Sequence, residues 1–450
     1  MIRVLQRLLG GLAFVVLGLL LGKAVAQFPP YYDDWWYHLL FAARHGGLVA
    51  MGDFMADSRI EARFTGMPQL AEMIQGWLWV TFGNVKAVNF LGYTSFLALV
   101  AGLRLLWRLP VYYTVFAMLA IPIVGAHVVT VKNDLLHNVC LVLAVAAAFK
   151  LYCRPDHPRR WWLVGLVALM GVGVCHTKYT LVGAALLVYL TTLLRLGWYD
   201  WQHRTALGPW LKRWGLVVIP LAVVGLVLMA YPYLKNAFVL GNPVYPYHVQ
   251  VLGINFPGPE EPVFVSSTTI YGAPQPVRWL YSIIEFGVRP FHWEPEVWAA
   301  SPGDYTFRMG GFFGAYVFFQ LGLFALNLLR TDSDGRRWIP LIMGVLTLMV
   351  ACMHQSHELR YVMGWMMLLV AFNGYMIMHP SVGRGLGRLS SWAITVLAVY
   401  CLGWFLVVAG FNQPNPLLPL AIDHTQVERT YLGFFRYYVD RLHPKKEVLP

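Results

Sequence analysis

Residues 214–234 read WGLVVIPLAVVGLVLMAYPYL, a run without Asp, Glu, Lys or Arg. As an α-helix it measures about 31 Å at 1.5 Å per residue, which matches the ~30 Å hydrocarbon core of a bilayer. Working outward from it, comparable apolar runs occupy 3–25, 86–106, 111–130, 135–152, 161–176, 180–195, 311–329, 338–353, 361–378 and 391–411. The chain therefore reads as an all-α polytopic integral membrane protein of about eleven transmembrane helices.

Composition agrees. Of the 450 residues 58% are hydrophobic and only 12% charged, with a mean hydropathy of +0.55. Water cannot be the main solvent of such a chain. The formal charge of +12 would raise nucleic acid as a partner for a soluble protein. Here the basic residues cluster at the ends of the apolar runs, so a lipid bilayer accounts for them. Five Cys, at 140, 153, 175, 352 and 401, show neither metal-ligand spacing nor an even disulfide framework, and read as small core residues. Arg3 and Arg7 precede the first apolar run, and Ala24-Val25-Ala26 ends it like a signal-peptidase site. The run is long enough to span, which favours an uncleaved first helix.

Basic residues also set the expected orientation. With the N-terminus inside, short loops on the inner side hold Lys150, Arg154, Arg159 and Arg160; Arg195, Arg204, Lys212 and Arg213; Arg330, Arg336 and Arg337; Arg384 and Arg388. Arg3, Arg7, Arg104 and Arg108 join them, whereas the remaining basic residues are spread over much longer segments that the positive-inside rule discounts. The apolar stretch 69–84 is not counted as a span, because doing so would place Arg104 and Arg108 outside. It is read as a juxtamembrane helix on the outer surface. The expected location is the inner (cytoplasmic) membrane, with the N-terminus cytoplasmic and the C-terminus outside. Residues 1–411 then form one transmembrane domain with outer loops 26–85 and 235–310, followed by a short outer tail, 412–450.

The residues that could carry chemistry gather on that outer side. Tyr31-Tyr32-Asp33-Asp34-Trp35-Trp36-Tyr37-His38 puts two adjacent carboxylates just past the first span. Either could simply cap a helix whose apolar face is Trp36, Leu39, Leu40 and Ala43. Asp134, in Thr130-Val131-Lys132-Asn133-Asp134, could likewise be an N-cap, with Asn133 sharing the job. Lys178, in His176-Thr177-Lys178-Tyr179-Thr180, and Arg360, in His357-Glu358-Leu359-Arg360-Tyr361, end apolar helices and could each snorkel to the interface. Taken together they supply a base and a positioning acid beside a phosphate clamp. His354, His357 and Glu358 could join a metal site, but their order matches no zinc-protease motif and favours an interfacial structural role. Asn-Pro and Tyr-Pro at 242–246 read as turns. Trp35, Trp36 and Tyr37 serve equally as an aromatic belt or as rings that stack on sugar faces.

These strings occur in an order that resembles the GT-C superfamily of membrane glycosyltransferases. The elements are an acidic pair in the first outer loop, an amphipathic helix, Gly66-Met67-Pro68 before a second interfacial helix, Asp134 in the next outer loop, Lys178-Tyr179-Thr180, Gly241-Asn242-Pro243-Val244-Tyr245-Pro246 and a late Arg360-Tyr361. The layout is similar to that of the bacterial aminoarabinose transferases and protein O-mannosyltransferases, which use polyprenyl-phosphate-linked sugars. The resemblance implies that Asp33 or Asp34 accepts the proton of the acceptor and that Asp134 is a positioning or metal-related acid. It also implies that Lys178 and Arg360 hold the lipid phosphate. Tyr37, His38, Tyr179, Tyr245 and Tyr361 are the accompanying substrate-contact candidates. The pair is Asp-Asp where Asp-Glu is common in the family, so the choice of base stays open. The large soluble C-terminal domain of some relatives has no counterpart here.

The expected function is transfer of a glycosyl group from a polyprenyl-phosphate donor to a glycan, lipid or protein acceptor on the outer side, with a divalent cation as a possible cofactor. A transporter or flippase of a polyprenyl-linked or anionic solute is the alternative from another class, and a glycan polymerase or ligase is a third. A transporter would place ionisable residues near span centres and show related halves; the acids and cations here lie at helix ends.

Overall fold

The computed structural model describes residues 1–29, 33–204, 206–251, 253–260, 273–284, 313–330, 333–353, 356, 358–380, 387–411, 417–418 and 433–442. The paired residues Tyr31 and Tyr32, the candidate metal ligands His354 and His357, and most of the tail 412–450 lie outside the described residues.

The described residues are helical almost throughout. In order come α1 (Ile2–Ala26), α2 (Leu39–His45), α3 (Ser58–Gly66), α4 (Leu70–Phe82), α5 (Phe90–Trp107), α6 (Val111–Leu119), α7 (Pro122–His127), α8 (Asp134–Cys153), α9 (Arg160–Thr177), α10 (Val182–Gln202), α11 (Leu207–Arg213) and α12 (Ile219–Leu240). A small antiparallel hairpin, β1 (Val249–Val251) and β2 (Ile254–Phe256), follows with Gln250 opposite Asn255. Then come α13 (Gln275–Ile284), α14 (Phe313–Leu328), α15 (Ser333–Cys352), α16 (Met363–Met378), α17 (Gly387–Phe411) and α18 (Phe434–Tyr437).

Nine helices among the described residues are long and apolar enough to cross a membrane, and they correspond to nine of the eleven expected spans. The other two are not among the nine. The run 111–130 is broken at Ile121, whose backbone is extended, with Pro122 starting α7; a proline disfavours helical geometry in the residue before it. Both pieces are almost wholly buried in protein, where a broken helix is tolerated at membrane depth. The run 311–329 appears as α14 over Phe313–Leu328, and 311 and 312 lie outside the described residues. The stretch 69–84 forms α4, whose 13 residues reach only about 20 Å, too short to span. The span expected to end at 234 continues through Pro232 to Leu240 and stops at Gly241, whose φ is +69°.

Helices α8 and α16 form the centre of the bundle and are buried along nearly their whole length. Small side chains at Ala144, Ala146, Ala147 and Ala148 let neighbouring backbones approach closely, the usual device where lipid removes the hydrophobic drive between helices. Peripheral α12 instead exposes Leu216, Val217, Leu221, Val224 and Leu228 along its length and its lead-in. Such a continuous apolar surface suits lipid and not water. Three of the five cysteines are buried, but Cys352 is exposed and all five are free thiols.

A second apolar core lies over one end of the bundle, built from Phe28, Trp35, Leu40, Phe41, Trp79 and the C-terminal residues Phe434, Phe435 and Tyr438. The Trp35 indole donates to the Pro29 carbonyl at 2.8 Å and stands edge-on to Phe435 at 4.8 Å. The described part of the C-terminal segment is thus fastened to the first loop.

The bundle ends are expected to face opposite sides of the membrane. Gln250 in the hairpin and Asp156 in the α8–α9 loop are both exposed and lie at opposite ends. In a Cys352→Ser background, an impermeant maleimide applied from outside should label a cysteine at 250 and spare one at 156. Labelling of 156 would reverse the orientation.

Candidate functional site

The loop before α2 makes a π-helical turn over Asp34–His38. Asp33 stands at the start of this turn, but its side chain makes no capping hydrogen bond. It faces two cations instead: Arg360 Nη1 at 3.3 Å and Lys132 Nζ at 3.5 Å. Asp134 likewise opens α8 without a side-chain cap from itself or Asn133. Its Oδ1 accepts from Lys178 Nζ at 2.5 Å, and its Oδ2 lies 3.7 Å from His127 Nε2. Asn133 donates to Glu72 Oε1 at 3.1 Å. Neither Asp33 nor Asp134 therefore behaves as a helix cap.

The two cations are equally committed. Lys178 follows the last residue of α9 in extended conformation, and its ammonium sits 4.0 Å from the centre of the Tyr361 ring. Arg360 lies in the 3₁₀ turn Leu359–Val362 that leads into α16, with Nη2 3.3 Å from the Tyr361 hydroxyl. Its main chain is held by Asn138, which donates to the Arg360 carbonyl at 3.1 Å and accepts from Gly364 N at 2.7 Å. Snorkelling to the surface does not describe either side chain; both point at carboxylates.

A cavity of about 470 Å³ joins these groups, lined by Asp33, Tyr37, Lys178, Tyr179, Arg360 and Tyr361 among others. Six of the ten site residues picked from sequence thus share one cavity. The remaining four stand outside its lining. Asp34 is fully buried. His38 reaches the cavity-lining Glu72 through a 2.7 Å contact from its Nδ1. Asp134 acts from behind Lys178. Tyr245 packs against Gly66, where a Cβ would lie 2.5 Å from the Tyr245 ring. That close approach explains the glycine of Gly66-Met67-Pro68. The Tyr179 hydroxyl lies 2.7 Å from both the Gly66 and Tyr245 carbonyl oxygens, locking α3 to the turn at 242–246. Asn242 shapes that turn by accepting from Val244 N at 2.9 Å and donating to the Tyr247 carbonyl at 2.7 Å.

Several contributors escape the sequence. Arg63 forms a two-pronged pair with Glu260, both contacts at 2.7 Å, and its guanidinium lies 5.0 Å from the Trp36 ring centre. Glu72 comes from α4, the helix read only as a surface element. Lys132 and His127 sit in or before strings that drew attention for Asp134 alone. The one local signal was Asn138, a helical turn after Asp134.

Three carboxylates (Asp33, Glu72, Glu260) and three cations (Arg63, Lys178, Arg360) therefore line the cavity, with Lys132 paired to Asp33 and Asp134 to Lys178 behind them. Burial by itself would push the Asp33 carboxyl up, but Lys132 and Arg360 facing it prevail and hold it well below the usual carboxylate range. The Tyr37 hydroxyl is pushed up by burial and by the Asp33 charge, and Tyr247 by burial beside Tyr361. Both phenols stay protonated and able to donate. Among the described residues no three His, Cys, Asp or Glu side chains converge as a metal site. Compared with known proteins, the chain matches no family model, no curated protein and no solved structure.

Proposed function

We propose that the cavity binds a polyprenyl-phosphate-linked sugar and transfers the glycosyl group to an acceptor hydroxyl, as the order of motifs shared with the GT-C enzymes implies. One observation carries this reading: Arg360 and Lys178, 182 positions apart in sequence, line the same cavity, each held against a buried carboxylate. Buried ion pairs rarely repay their desolvation through stability alone, and perturbed charge clusters in cavities concentrate at functional sites.

In the proposed reaction the bond between the anomeric carbon and the phosphate oxygen breaks, and its electron pair stays on the departing phosphate. The planar fork of Arg360 and the point charge of Lys178 stabilise that oxygen. The acceptor oxygen bonds to the anomeric carbon, and its proton passes to Asp33, the carboxylate of the pair that lines the cavity. In the ligand-free protein Asp33 is a weak base, because Arg360 and Lys132 hold its proton off. An incoming phosphate draws Arg360 away and strengthens Asp33 as the donor binds. Asp134 keeps Lys178 in place. Tyr37, Tyr179, Tyr247 and Tyr361 offer ring faces and hydroxyls to a sugar.

The test is binding of polyprenyl phosphate to purified protein in nanodiscs. Arg360→Lys keeps the charge and loses the fork; Lys178→Ala loses the charge. Charge-assisted hydrogen bonds contribute roughly 1.5 to 3 kcal/mol each, so each variant should bind about ten- to a hundredfold more weakly while still eluting as a folded monodisperse species. Unchanged affinity in both would remove the phosphate site.

A further inference from the structure

A second, larger cavity of about 700 Å³ lies away from the ion-paired site. Its floor is α8 and its walls are α10 and α15, with Leu141, Val145, Leu187, Val345 and Met349 giving an apolar lining. At the end farthest from Asp134 and Lys178 the lining changes character and presents Arg195, Arg337, Trp338 and Tyr152. We propose that this groove is a binding site for an anionic glycerophospholipid, with one acyl chain between α10 and α15 and the phosphate held by Arg195 and Arg337.

Length is the first argument. From Ala184 to Arg195 on α10, and from Met349 to Arg337 on α15, the distance from the apolar end to the arginines is about 17 Å at 1.5 Å per residue, with the α10 lining continuing beyond Arg195 to Trp198 and Gln202. That is roughly half of a ~30 Å hydrocarbon core, the depth of a chain from one leaflet.

Charge is the second. Arg195 reaches only the Tyr152 carbonyl, at 3.4 Å through both Nε and Nη2. Among the described residues no carboxylate lies within ion-pair distance of Arg195 or Arg337. The same end of the bundle neutralises Arg160 against Asp200, at 2.7 and 3.3 Å, so the contrast is local. Both guanidiniums lie against one indole: Arg195 is 5.7 Å and Arg337 4.9 Å from the Trp338 ring centre. Tyr152 packs on the same ring at 5.2 Å and shares a 2.7 Å hydrogen bond with Thr191. A snorkelling arginine turns away from apolar surface, whereas these two converge on the groove wall. Two planar forks beside an aromatic pair at the membrane boundary suit a phosphodiester headgroup. An anionic lipid has the complementary charge that a zwitterionic one lacks.

The experiment compares phosphatidylglycerol and phosphatidylcholine on the purified full chain, by native mass spectrometry and by the shift of the thermal melt. The wild type should retain phosphatidylglycerol in preference to phosphatidylcholine by at least about tenfold. Arg195→Gln with Arg337→Gln should lose about ten- to a hundredfold in phosphatidylglycerol affinity. Arg337→Gln alone, at an exposed position that leaves the fold intact, should lose part of it. Lys212→Gln removes an exposed charge at the same end of the bundle outside the groove, and should change nothing. Equal retention of both lipids by the wild type, or an equal loss in Lys212→Gln, would overturn the proposal.

Discussion

Asp33→Asn should lower the rate of glycosyl transfer by about 10² to 10⁴, the usual contribution of a positioned general base, with no loss of polyprenyl-phosphate binding. The reasoning starts from the carboxylate's surroundings. Asp33 lines the cavity and its Oδ2 lies 3.3 Å from Arg360 Nη1, so it competes with an incoming phosphate for that guanidinium. An amide removes the proton acceptor and the competing charge together. Turnover should therefore collapse while phosphate binds as well or more tightly. A purely structural Asp33 would instead weaken both, because Arg360 and Lys132 would lose the group that organises them. Asp34→Asn supplies the contrast, since Asp34 is buried and does not line the cavity, and transfer should survive in whatever fraction folds. The readout is release of polyprenyl phosphate from a total lipid donor extract, beside binding of polyprenyl phosphate itself. Full turnover in Asp33→Asn would end the assignment of Asp33 as base.

The second large effect concerns stability. Arg63→Ala should destabilise the protein by about 3 to 5 kcal/mol, the cost of leaving one member of a buried ion pair without its partner. Glu260 is almost completely enclosed and receives both of its close contacts from Arg63. Removing the guanidinium strands the carboxylate and also takes away the cation that lies 5.0 Å from Trp36 and 5.6 Å from Tyr37. For a chain of this size the melting temperature should fall by a few degrees. Replacing both partners together, Arg63→Met with Glu260→Leu, should recover most of that loss, because an apolar pair of similar volume carries no desolvation cost. The two single variants and the double form a cycle. If the double is as unstable as Arg63→Ala, the pair is not the source of the effect.

Much of the fold was legible because a bilayer imposes a simple demand: about 20 apolar residues per crossing with every backbone group bonded within the helix. Runs such as 214–234 and 391–411 meet it on composition alone, and the charged strings at their ends mark where chemistry can sit. Pairing was not legible. Arg360 and Asp33 are 327 positions apart, and Arg63 and Glu260 are 197 apart; which helix ends meet depends on how the bundle packs. Which of Asp33 and Asp34 lines the cavity also needed the structure, because successive residues on a helical turn point about 100° apart. The break at Ile121-Pro122 lies within a run that looks continuous by hydropathy, yet it carries His127 to within 3.7 Å of Asp134. Local sequence thus determined which segments form helices long and apolar enough to cross a membrane, nine among the described residues, since that follows from transfer free energies of single side chains. Tertiary structure decided which charges neutralise one another, because an ion pair's worth depends on distance and burial that no local stretch contains.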